Sequence, residues 1–110
     1  MSLLISCVMP TKNRARFVPT AIRCFLRQTH PAKELLIVDD GTESILHLIP
    51  DDSRIRYIRT RENTPTGTKR NLGAALSSGD LIANWDDDDF SHPHRLEAPK
   101  AGLVCFTAES

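Results

Sequence analysis

Four consecutive aspartates, Asp86 to Asp89, follow the apolar run Leu81, Ile82, Ala83 and Trp85. A strand that ends in such a cluster offers only oxygen ligands, the donor set of hard cations such as magnesium, manganese or calcium. Four like charges side by side repel one another unless a cation or basic neighbours offset them, so a metal site is expected here. Two other polar clusters also follow apolar runs: Thr11 to Arg14 after Leu3 to Met9, and Asp39 to Thr42 after Glu34 to Val38. Bases gather elsewhere, at Arg54, Arg56, Arg59 and Arg61, with Lys69 and Arg70 close behind. Acids and bases segregated in this way suit an anionic small molecule bridged to the protein by a cation.

These clusters need elements to position them. Leu3 to Met9 is a continuous apolar run, the pattern of a strand buried on both faces, and Pro10 is expected to end it. Val18, Ala21, Ile22, Phe25 and Leu26 recur at helical spacing, with Arg23, Arg27 and Gln28 on the polar side and Pro31 as the stop. Glu34 to Val38 reads as a second strand, closed by the turn residues Asp39, Asp40 and Gly41. Ser44 to Ile49 is a short helical piece, and Arg54 to Arg59 a third strand near a sheet edge, because its arginines need water. A second helix is expected from Thr66 or Thr68, either of which could cap it, to about Ser77, with Leu72, Ala75 and Leu76 on its core face. Leu81 to Trp85 is the fourth strand, and Ser91 and Pro93 open a final helical turn.

Strands alternating with helices predict an α/β fold with a mainly parallel sheet and flanking helices, since parallel neighbours require crossover connections. In such sheets ligands bind beyond the carboxyl ends of the strands, where three of the polar clusters fall. The chain of 110 residues, 40% hydrophobic and 25% charged, has the make-up of one globular domain, which excludes disordered and fibrous classes. Fourteen basic and fourteen acidic residues cancel, so no overall field draws the chain to nucleic acid. Cys7, Cys24 and Cys105 lack metal or disulfide spacing, and the first two lie in apolar stretches, as buried thiols of a reducing compartment do. No run reaches the roughly 18 apolar residues of a membrane span. The expectation is a cytoplasmic chain, with peripheral attachment to the inner face of a membrane left to segments outside this sequence. Gly67, Thr68 and Lys69 do not complete a phosphate-binding P-loop, no G-x-G-x-x-G follows the first strand, and the aspartates do not have EF-hand spacing. The histidines His30, His47, His92 and His94 have no metal-ligand spacing.

The residues resemble glycosyltransferase family 2, nucleotide-sugar-dependent enzymes of GT-A fold. The resemblance is carried in order by Val8 to Asn13, Gln28 to Pro31, Leu36 to Thr42, Lys69 to Gly73, Gly79 to Ile82, and Asp86 to Asp89 followed by Pro93 and Leu96. It implies the Rossmann-like nucleotide-binding half of that fold over residues 1–97, with 98–110 an unmatched tail and the chain truncated relative to the family. The implied activity is inverting transfer from a metal-bound nucleotide-diphosphate sugar, a UDP-sugar, to a glycan or other hydroxyl acceptor. The alternatives are a non-catalytic nucleotide-sugar-binding fragment and a divalent-cation-binding structural domain. By the same resemblance, Pro10, Thr11 and Asn13 line the nucleotide, and Asp40 accepts a hydrogen bond from the imide N–H of uracil or thymine, while Asp39 supports the turn. Asp86 to Asp89 align with a D-x-D motif that binds Mn2+ or Mg2+. In an extended segment Asp86 and Asp88 point the same way, so Asp88 is the expected metal ligand and Asp86 its partner on the metal and the nucleotide. Asp87 looks to the other side, and Asp89 is left either to support the metal ligands from behind or to the turn. Lys69 and Arg70, in the first turn of their helix, are expected to face the diphosphate, because cations sit poorly there without an anion. The family commonly places an aromatic residue where Lys12 stands, and its carboxylate base has no match here, Glu97 and Glu109 included.

Overall fold

The computed structural model describes residues 3–30 and 32–85, together with the backbone of 105–107. Four parallel strands, β1 (Ile5–Thr11), β2 (Lys33–Asp39), β3 (Ile55–Arg59) and β4 (Leu81–Asn84), are joined by a fifth, antiparallel strand, β5 (Cys105–Thr107). Their order across the sheet is β3-β2-β1-β4-β5. The mainly parallel α/β architecture read from the alternation of elements is therefore the one observed. β5 is an addition, because a three-residue strand in the tail carries no periodicity to read.

The period-two alternation of side chains sorts the sheet into two faces. Odd-numbered residues Ile5, Cys7, Met9, Leu35, Ile37, Ile55, Ala83 and Trp85 pack with helix α1 (Val18–Leu26). Even-numbered Val8, Val38 and Ile82, with Ile58, pack with Leu72 and Ala74 of helix α2 (Thr66–Leu76). Cys7 and Cys24 are buried free thiols, as expected.

Pro10 does not end β1, which continues to Thr11. Val8 accepts the backbone N–H of Trp85 at 3.0 Å, so even residues of β1 turn their backbone toward β4. The next rung would need a donor at position 10. Proline supplies none; among the described residues the β1–β4 ladder runs to Val8, while the β2 side runs on to Thr11 opposite Asp39.

α1 begins with Pro19 in its first turn, where a missing N–H costs nothing. Its last carbonyls are closed by a side chain from β2: the Lys33 ammonium donates to the carbonyls of Phe25 at 2.9 Å, Leu26 at 3.1 Å and Gln28 at 2.6 Å. A cation at a helix C-terminus is favourable, and three acceptors offset its burial. Burial, with the charge of Arg54 adding to it, lowers the Lys33 pKa. Gln28, expected on the solvent side, is buried and donates to the Cys24 carbonyl, helping close the same helix end.

α2 departs further from expectation. Neither Thr66 nor Thr68 caps it; Pro65 stands at the N-cap with no side-chain bond. Its buried residues are Lys69, Gly73 and Ala74, whereas Leu76 is 40% exposed. Gly73 explains the change of face. A Cβ there would lie 2.4 Å from Cγ1 of Val8, so the helix backbone sits directly on β1. Gly73→Ala is expected to cost about 1–2 kcal/mol, because overpacking against the stiff, buried Val8 outweighs the roughly 1 kcal/mol gained in helix propensity. The urea midpoint of the variant checks this; an unchanged or raised midpoint contradicts it.

Candidate functional site

The carboxyl ends of β1 and β2 place two adjacent aspartates on opposite faces. Asp39, odd-numbered, looks to the α1 side, where Oδ1 accepts the Gly41 N–H at 2.8 Å. Its Oδ2 accepts the Tyr57 hydroxyl at 2.6 Å and an Arg59 guanidinium N–H at 2.9 Å. Both its oxygens are occupied, and it holds the turn in the role expected of it. Tyr57 and Arg59 were not foreseen as its partners. The signal was strand register, since Arg59 lies directly across from Asp39.

Asp40, even-numbered, looks to the α2 side and is 1% exposed. Its Oδ1 accepts a hydrogen bond from the Lys69 ammonium at 2.5 Å, and its own N–H donates to the Thr11 carbonyl. Lys69, buried too, donates a second bond to that same carbonyl at 3.2 Å. Burial pushes the Asp40 carboxyl upward, but the hydrogen bond and charge of Lys69, with the charge of Lys12, outweigh it and hold the pKa below the ordinary carboxylate value. The anion that brings Lys69 to the start of α2 is therefore the protein's own Asp40. No donor among the described residues reaches the second oxygen of Asp40.

Three loops are laced around this pair. Asn13, in the left-handed region at φ 52°, accepts the Thr42 N–H at 2.8 Å, tying the loop after β1 to the loop after β2. Gly41 permits the approach, since a Cβ there would stand 2.9 Å from both the backbone nitrogen and Oδ1 of Asn13. Lys12 donates to Asn63 Oδ1 at 2.6 Å, reaching the loop after β3. Asn63, itself at φ 63°, was not singled out from sequence. Beside these loops an open cleft of about 480 Å³ is lined by Asn13, Ala15, Thr42, Glu43, Ser44, Ile45 and His47.

The structure brings Pro10, Thr11, Asn13, Asp40 and Lys69 together at one end of the sheet. Arg70 follows Lys69 on α2, half-buried, and its buried Nε has no hydrogen-bond partner among the described residues. Asp86 and Asp88, and with them the expected metal ligands, lie outside the described residues, as do Asp87, Asp89, the helical turn from Ser91, Glu97 and Glu109. Among the described residues no three His, Cys, Asp or Glu side chains cluster to hold a metal ion, and no helix is long and apolar enough to cross a membrane.

A parallel sheet with flanking helices and polar strand ends of this kind is the Rossmann-like half of a GT-A glycosyltransferase fold. Solved structures agree in fold. The chain superimposes on Staphylococcus aureus TarS 1-349 in complex with UDP with a TM-score of 0.79 at 21% identity, covering 90% of this chain and 31% of that one. On the mannosyltransferase PcManGT from Pyrobaculum calidifontis, in complex with GDP-Man and Mn2+, the TM-score is 0.73 at 16% identity, covering 80% and 28%. The model of the glycosyl transferase family 2 matches residues 6–98, and the chain belongs to that family. It is 39% identical over 98 residues to the putative colanic acid biosynthesis glycosyl transferase WcaA of Escherichia coli K12, covering 84% of this chain and 35% of that protein. It is 37% identical over 97 residues to an uncharacterized glycosyltransferase of Rickettsia bellii, covering 84% of this chain and 14% of the relative. The chain thus spans between about a seventh and a third of the length of these two curated relatives.

Proposed function

We propose that this chain binds the donor of an inverting family 2 glycosyl transfer, a nucleoside diphosphate sugar held with a divalent metal. The observation that carries the reading is Asp40: a buried carboxylate, ionised at neutral pH, fixed by Lys69 at a strand end, with one oxygen that no donor among the described residues reaches. That oxygen suits the imide N–H of a pyrimidine base. Thr11 and Asn13 shape the neighbouring loops, and Pro10, near the end of β1, is assigned with them to the nucleotide. Arg70 is assigned to the phosphates as a cation near the start of α2, next to Lys69.

Asp86 and Asp88 continue the even-numbered series of Ile82 and Asn84 in sequence, and are assigned to the metal and to the nucleotide beside it. Their all-oxygen donor set fits Mn2+ or Mg2+. Such an ion, when bound, would neutralise the charge that develops on the departing nucleoside diphosphate. The acceptor, a glycan or other hydroxyl compound, belongs to the whole protein.

Calorimetric titration of UDP with and without Mn2+, repeated on Asp88→Ala, tests the assignment. The metal is expected to tighten UDP binding by about tenfold or more, and the variant to lose that gain, as removal of a charge-assisted contact implies. UDP affinity indifferent to both metal and substitution would sink the reading. Release of nucleoside diphosphate from a UDP-sugar would show turnover, whereas binding without release marks a binding module. Tight Ca2+ binding unaffected by UDP would instead mark a structural cation site.

A further inference from the structure

From the Lys69–Asp40 pair we infer that Lys69 is a positioning residue that selects the donor's base: it commits one Asp40 oxygen and leaves the other, which no donor among the described residues reaches, as a lone acceptor, matched to uracil and mismatched to guanine and cytosine. The inference rests on the donor-site reading above and adds to it how the base is chosen.

The geometry is restrictive. Lys69 donates to Oδ1 of Asp40 at 2.5 Å and to the Thr11 carbonyl at 3.2 Å, so the ammonium is held from two sides. The Asp40 N–H is bonded to that same carbonyl, which fixes the carboxylate's own backbone. With Asp40 1% and Lys69 4% exposed, a base can meet the pair only edge-on, through Oδ2. Uracil brings a single N–H between two carbonyls, which one acceptor satisfies. Guanine brings two adjacent donors, N1–H and the N2 amino group, and these call for both oxygens of a carboxylate. Cytosine brings a lone pair at N3, which faces the carboxylate as acceptor against acceptor. Leaving a buried polar group unmatched is what makes such a site discriminate.

The directional role of Lys69 is separable from its structural one. An ammonium can only donate. In Asp40→Asn, Lys69 must therefore keep the amide oxygen, which turns the amide NH2 outward to the base. Cytosine accepts at N3 where uracil donates, so the preference should reverse. In Lys69→Met/Asp40→Asn nothing fixes the amide, and the preference should fade.

The test is calorimetric titration of the chain with UDP, CDP and GDP in the presence of Mn2+, for wild type, Asp40→Asn, the double variant and, as a control on the site itself, Asp40→Ala. Wild type is expected to favour UDP over both others by about tenfold or more, the scale of one hydrogen bond to a charged group. Asp40→Asn is expected to favour CDP over UDP by a similar factor. In the double variant the two pyrimidine nucleotides should bind within about threefold of each other, since the amide can present either end. Wild-type preference for GDP, UDP preference surviving in Asp40→Asn, or reversal persisting in the double variant would each overturn the inference. If Asp40→Asn alone shows no cooperative thermal transition, the double variant decides, and a tenfold UDP preference retained there is the overturning result. Two outcomes would overturn the donor-site reading itself and this inference with it: wild type binding none of the three nucleotides, or UDP affinity unchanged in Asp40→Ala.

Discussion

Trp85→Ala is expected to lower the unfolding free energy by about 3–5 kcal/mol, the range for removing a large aromatic side chain from a core. For a domain of this size that corresponds to a fall in Tm of roughly 15 °C or more. Trp85 is 1% exposed, its ring meets Phe25 edge-on at 6.3 Å, and its indole N–H donates to the Ala21 carbonyl at 3.2 Å. It therefore clamps the end of β4 to α1. The loss exceeds the apolar area alone because the site is bounded by a strand and a helix that cannot collapse into it. Trp85→Phe, which keeps a ring but not the N–H, should recover more than half of the loss. A calorimetric scan of both variants decides: a fall of only a few degrees for Trp85→Ala would mean that the end of β4 is not anchored through this ring.

The second large effect is expected from Lys69→Met. The substitution keeps a long apolar stem but leaves Asp40 buried without its cation, a break that costs about 3–5 kcal/mol in buried ion pairs. Lys69→Met/Asp40→Asn should regain most of this, since a neutral amide is cheaper to bury than an orphaned carboxylate. The contribution of the pair also has a definite pH course. The folded-state pKa of Asp40 is depressed, so its stabilisation is fully present above the ordinary aspartate value of about 3.9 and is lost as pH falls through the folded value. Urea titrations of wild type and the double variant at neutral pH and near pH 3 should therefore differ less at the lower pH. A gap that widens on acidification contradicts the sign.

Much of the fold was legible because burial on both faces leaves unbroken apolar runs. Leu35 to Val38 and Ile5 to Met9 could hardly be anything but central strands. What failed to read were positions where a local rule met a particular geometry. Pro10 looks like a strand terminator, yet a proline interrupts only the ladder its nitrogen faces, and Pro10 turns that nitrogen to the β4 side, leaving the ladder with β2 to run on to Thr11. The core face of α2 was read rightly at Leu72 but not at the exposed Ala75 and Leu76, because the helix approaches β1 through a glycine and a lysine. A buried lysine cannot be foreseen without its partner, and Asp40 is 29 residues away.

At the site, the division of labour between Asp39 and its neighbour was partly legible: a D-D-G turn implies that one carboxylate serves the backbone, and Asp39 does. Its bonds to Tyr57 and Arg59 were not, since they depend on the register of β3. The loop lacing through Lys12, Asn13 and Asn63 was likewise hidden, because it joins segments up to 51 residues apart.

The two-faced partition of β2 bears on how such a chain can vary. Asp39 and Asp40 do different work only because they are consecutive on an extended strand, one turned to each helix. Deleting a single residue between Lys33 and Val38 would act as a frameshift in space: every apolar side chain would change faces, and each aspartate would inherit its neighbour's surroundings. Substitutions along β2 can be graded in severity, but changes in its length cannot. Insertions for labels or tethers therefore belong outside the strand, at the exposed Pro50 and Asp51, ahead of the Asp52–Arg54 hydrogen bonds that lead into β3.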